Sequence, residues 1–154
     1  PEHPGVAHYI IHSSDYPELA ELGLDAALTY TKIAPAAPHA QHMPSHIYTM
    51  VGMWEASIVS NQASIAVAKE YAEKSKLDGV LAGLPHAYDF MQYAYLQLGQ
   101  DAKAKALIEE WRRAVCHQDP TSGGGVPLTE QAAGGAAPPA LKTADDYRKQ
   151  LTGA

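Results

Sequence analysis

Cysteine is nearly absent from this 154-residue chain: Cys116 is the only one. A single thiol excludes an internal disulfide and a cysteine-rich zinc ribbon, and Cys116-His117 lacks the earlier cysteine that haem attachment needs. No run of about 18 apolar residues occurs, so no segment is expected to span a membrane. Basic residues are few, with 11 Lys and Arg against 17 Asp and Glu and a formal charge of -6. Without a Lys/Arg stripe to neutralise phosphates, a nucleic-acid partner is not expected. The one basic cluster, Arg112-Arg113 after Trp111, fits a helix C-terminus whose dipole it complements. Gly123–Gly125 is not a phosphate loop, because no Lys-Ser/Thr pair and no strand–helix context follow. No secretory leader is visible. The chain opens on Pro1-Glu2-His3 without a methionine, as expected of a piece of a longer product, so the compartment, cytoplasmic or periplasmic, stays open.

What is present is enough apolar material for a core, 46% hydrophobic against 18% charged residues, and an excess of histidine. Six of the eight histidines lie within the first 46 residues. The chain is expected to be all-α. Residues 4–14 read as a short helix with Pro4 in its first turn, and Asp15-Tyr16-Pro17 restarts a helix over 17–34, where Gly23 marks a close crossing. Pro44 either kinks one helix running from Pro38 to about Val51 or marks that helix's start after an irregular turn. Gly52 is a stop signal. An Ala-rich helix over 53–75, a loop over 76–84 and a last pair over 85–98 and 101–116 complete a helical domain of residues 1–117. Residues 118–154 are rich in Gly, Ala and Pro and predict a flexible or loosely docked tail.

Laying these units over one another exposes an internal repeat. His8-x3-His12 superposes on His42-x3-His46. Tyr88, Tyr95, Leu98, Gly99 and Ala104 follow the pattern of the tetratricopeptide repeat, and Tyr48, Gly52 and Ala56 repeat it. Over residues 5–116 the chain resembles that family, with degenerate repeats: Ala56 lies four residues after its glycine, and Gly52 and Gly99 are 47 apart rather than about 34. Its His-rich segments look like those of uncharacterised bacterial tetratricopeptide-repeat proteins. The resemblance implies a helical-hairpin solenoid of about three pairs whose first helices line a concave groove. His39, His42 and His46, then His86, Asp89 and Tyr93, then His8 and His12, would face that groove.

Histidines three and four apart on a helix share one face, and a neutral imidazole is the commonest side-chain ligand for transition metals. His8, His12, His42, His46 and His86 are therefore candidate metal ligands, with Asp89 as a further ligand or orienting base. His39 joins them if Pro44 leaves it on the shared face. A divalent transition ion is implied, zinc first, then copper or iron. One ion could use some of these side chains, or two ions could bind. The HExxH glutamate is missing, so a zinc protease of that kind is not supported, and the residues alone define no reaction. The rival reading is an interaction groove that holds a peptide or small molecule without metal, its histidines supplying hydrogen bonds and pH sensitivity. The plainest account makes each histidine a satisfied polar residue, and it is preferred for His3 and His117. With only three pairs visible, a homo-oligomer or a longer parent chain is expected to cover the ends.

Overall fold

In the computed structural model, residues 3–77 and 83–116 are described, and all of their regular structure is helical. The expected tail over 118–154 and His117 lie outside these residues. The elements are α1 (Pro4–Ser14), α2 (Leu24–Ile33), α3 (Pro38–His42), α4 (Pro44–Met50), α5 (Trp54–Ser75), α6 (Leu84–Gln97) and α7 (Asp101–Cys116). A short 3-10 segment, Ala20–Gly23, precedes α2. Among the described residues no helix is long and apolar enough to cross a membrane.

Successive helices pack as hairpins: α1 on α2, the α3–α4 unit on α5, and α6 on α7. The first hairpin meets the second through α2 and α4, and the second meets the third through α5 and α6. One apolar cluster joins α1, α2, α3 and α4 around Ile11, Leu24, Tyr30, Met43 and Ile47. A second joins α5, α6 and α7 around Ile58, Ile65, Tyr88, Met91 and Leu107. Met43 and Met53 are buried, whereas Met50 is exposed.

Gly52 and Gly99 end α4 and α6 in the same way. Each has positive φ, +74° and +65°, a conformation open to glycine at little cost. After each, the next residue's amide donates back to an aromatic carbonyl, Met53 to Tyr48 and Gln100 to Tyr95, both at 2.8 Å. The two equivalent alanines that follow, Ala56 and Ala104, are buried.

Two local expectations change. The helix expected over 17–34 begins only at Leu24, with turns and the 3-10 segment before it. The backbone at Gly23 is pressed against α4: a Cβ there would lie 2.7 Å from Ile47 Cδ1 and 2.9 Å from Ser14 Cβ. At Pro44 the kink is the observed alternative. Residues 38–42 are helical, and Met43 keeps helical dihedrals of -50° and -38° between the two segments.

Candidate metal centre

The kink is held from both sides. On α5 the residues Ser57, Ser60, Asn61 and Ser64 recur at helical spacing and are all buried. The Ser60 hydroxyl donates to the Gln41 carbonyl, and the Ser64 hydroxyl donates to the Pro38 carbonyl at 2.8 Å. Across the helix, the buried Gln41 amide donates to the carbonyls of Thr31 and Pro35 at 3.3 and 3.2 Å. α3 is thereby clamped between α5 and the end of α2, and His42 is carried on its last turn.

Six imidazoles gather on this support, in two groups of three that could hold a metal ion. The inner group is His42, His46 and His86, and the outer group is His8, His12 and His39. Within each group, one ring nitrogen from each histidine lies within 4.8 Å of the other two. The groups adjoin, with ring centroids 6.0 Å apart for His12 and His46 and 6.3 Å apart for His39 and His42. All six histidines named from the sequence are therefore brought together, from α1, α3, α4 and α6. His39 stays with the others, 5.1 Å from His8.

Asp89 is placed elsewhere. It lies in neither group and lines a cleft toward α7 with Gln92, Ile108 and Trp111. Beside His86 the i+4 position belongs to Phe90, whose ring stands 4.9 to 5.1 Å from those of His42, His46 and His86. Phe90 gives the inner group an apolar wall. His3, read as a satisfied polar residue, caps α1 by accepting from the Gly5 amide at 3.1 Å.

Two groups that sequence reasoning did not assign to the site set the histidine tautomers. Asn61 Nδ2 donates to the Ser57 carbonyl at 2.8 Å, which turns its oxygen toward His42 Nδ1 at 2.6 Å. That nitrogen must donate, so the proton of a neutral His42 ring sits on Nδ1. Asp15 Oδ2 lies 2.8 Å from His46 Nδ1, and a carboxylate likewise requires the proton there. Both Nε2 atoms are then bare, and they face each other at 3.0 Å.

Two lone pairs at that distance repel unless a proton or a metal cation lies between them. Burial pushes the His42 imidazole down to about 4, against the opposing pull of its Asn61 hydrogen bond. Burial also holds His46 below the ordinary histidine range, although Asp15 pulls it back up. Protonation is thus disfavoured at neutral pH, and a cation fits instead. Two imidazole nitrogens on one tetrahedral zinc, with bonds of about 2.0–2.1 Å, stand about 3.3 Å apart, close to the observed pair. Asp15 points the same way: its Oδ1 is buried without a hydrogen-bond partner, so its charge is answered chiefly through the His46 ring. A carboxylate behind a ligating imidazole is a recurrent support for bound metal.

A cavity of about 60 Å³ opens beside the inner group, lined by His39, His42, Ser64 and His86 among others. It has room for water or a small ligand next to the nitrogens. Against protein-family models, curated proteins and solved structures the chain finds no match.

Proposed function

We propose that this chain is a metal-binding helical-repeat protein whose primary centre is the triad His42, His46 and His86. The carrying observation is the 3.0 Å approach of two Nε2 atoms whose partner nitrogens are already committed to Asn61 and Asp15. An all-imidazole donor set suits zinc, copper, nickel or iron and disfavours magnesium or calcium, which take oxygen ligands. Zinc is favoured because three histidines with one exchangeable position form a common zinc arrangement. The adjoining cavity would admit water to that position, where a bound ion can act as a Lewis acid. The hairpins themselves are read as degenerate tetratricopeptide-like pairs. The matching glycine stops at Gly52 and Gly99, the buried Ala56 and Ala104 and the meeting of first-helix histidines support that reading.

The test is a zinc titration against a chromophoric chelator, with protein purified without a histidine tag. One tight equivalent is expected. His86→Ala, at an exposed position, should abolish it, and Asp15→Asn should weaken it by about 10–100-fold, as loss of a supporting partner does at such sites. Tight binding unchanged in His86→Ala, or none in the parent chain, would rule the centre out.

A further inference from the structure

The outer triad has its own geometry, and the inner centre does not use it. His8 and His12 stand one turn apart on α1 with ring centroids 4.5 Å apart, and His39 from α3 approaches His8 from across the hairpin boundary. One nitrogen from each of the three rings lies within 4.8 Å of the others, as in the inner group. The Tyr30 hydroxyl, on a buried core residue, lies 3.4 Å from His8 Nδ1, which leaves Nε2 of that ring without a hydrogen-bond partner among the described residues. Among the described residues, His12 and His39 have no hydrogen bond fixing their rings, and both are exposed. Inner and outer groups therefore offer the same donors with different degrees of preorganisation. Two inner rings, His42 and His46, are fixed by Asn61 and Asp15 and at least half-buried, with His86 exposed; of the outer rings, His12 and His39 are exposed and only the half-buried His8 has an anchor.

We infer that His8, His12 and His39 form a second site for a divalent transition cation, weaker and freely exchanging, beside the tight inner centre. The contrast in support sets the order of filling. Ordering two exposed rings on binding costs affinity that the prearranged rings do not lose, and absent supporting partners weaken imidazole sites by about 10–100-fold. His39 links the two stations. It belongs to the outer triad, yet it also lines the cavity that reaches His42 and His86. An ion held on the outer triad thus sits at the entrance to the inner one.

The outer site requires none of the inner ligands, so the two can be tested apart with cobalt(II) chloride, followed by its ligand-field absorption on tag-free protein. The parent chain should take up two equivalents in two phases, the second at least about tenfold weaker than the first. The double variant His12→Gln/His39→Gln, changed only at exposed positions, should lose the second phase and keep the first. His86→Ala should lose the first and keep the second. A parent chain that binds a single tight equivalent and no more, or a double variant that still binds two, overturns the outer site. A parent chain that binds only one weak equivalent, abolished in the double variant, would instead overturn the inner centre and leave the outer site standing.

Discussion

His42 meets His46 nitrogen to nitrogen because the other nitrogen of each ring is already engaged. The same burial that bares these nitrogens makes protonation costly, and this has a consequence for the metal-free chain. In the unfolded chain His42 takes up its proton near 6.5, and in the folded chain only near 4. Between those values the unfolded state binds more protons. The stability tied to His42 is therefore fully present above 6.5 and is lost as pH falls toward 4. The loss amounts to roughly 3 kcal/mol. His8, His39 and His46 are shifted in the same direction, each chiefly by burial, and add to it with the same sign. Urea midpoints of chelator-treated protein should fall between pH 7.5 and 4.5, mostly above the range where carboxylates titrate. A midpoint flat across that interval would show that these rings are not held neutral by the fold.

Which imidazoles come together was legible from spacing on single helices. His8 with His12 and His42 with His46 declare themselves by i,i+4 placement, and His86 by opening a helix. The supporting partners were not legible. Asp15 lies 31 residues from His46 and Asn61 lies 19 from His42, and both pairs are made by packing between elements. Asp15 reads locally as a helix-capping residue and Asn61 as one polar residue on a long helix. The choice of Asp89 over Phe90 beside His86 depended on how α6 turns against α7.

At the scale of elements, the site depends on the kinked α3–α4 unit and on how closely its neighbours approach. The kink itself was foreseen as one of two consequences of Pro44, since the missing amide says that something must give without saying what. The tie lies on α5, where the stripe Ser57, Ser60, Asn61 and Ser64 turns polar side chains onto α3 and α4. In sequence those residues interrupt an apolar face and look like a weakness. Gly23 was legible as a close crossing, and its contact is Ile47, one residue after His46. Gly23→Ala should destabilise the fold by about 1–3 kcal/mol through overpacking against Ile47 and Ser14. Thermal unfolding of the metal-free variant measures this. An unchanged transition would mean that α4 can shift outward, and His46 with it.

Across the described residues, three hairpins each contribute imidazoles to one patch, while their apolar core is divided: one cluster joins the first two hairpins and another the last two. The patch bridges both clusters, since His42 and His46 belong to the second hairpin and His86 to the third. Metal bound there would tie the third hairpin to the rest. It would stabilise only the folded chain, by about 2.7 kcal/mol at a free concentration one hundred times the dissociation constant. The net charge of -6 favours accumulation of cations and disfavours anionic polymers, in keeping with the proposed metal centre. The most direct measurement is X-ray absorption at the zinc edge on tag-free protein loaded with one equivalent. Three imidazole nitrogens at about 2.0–2.1 Å are expected, with the outer-shell scattering of their rings and one water oxygen. A shell of oxygens without imidazole scattering would contradict the proposed centre.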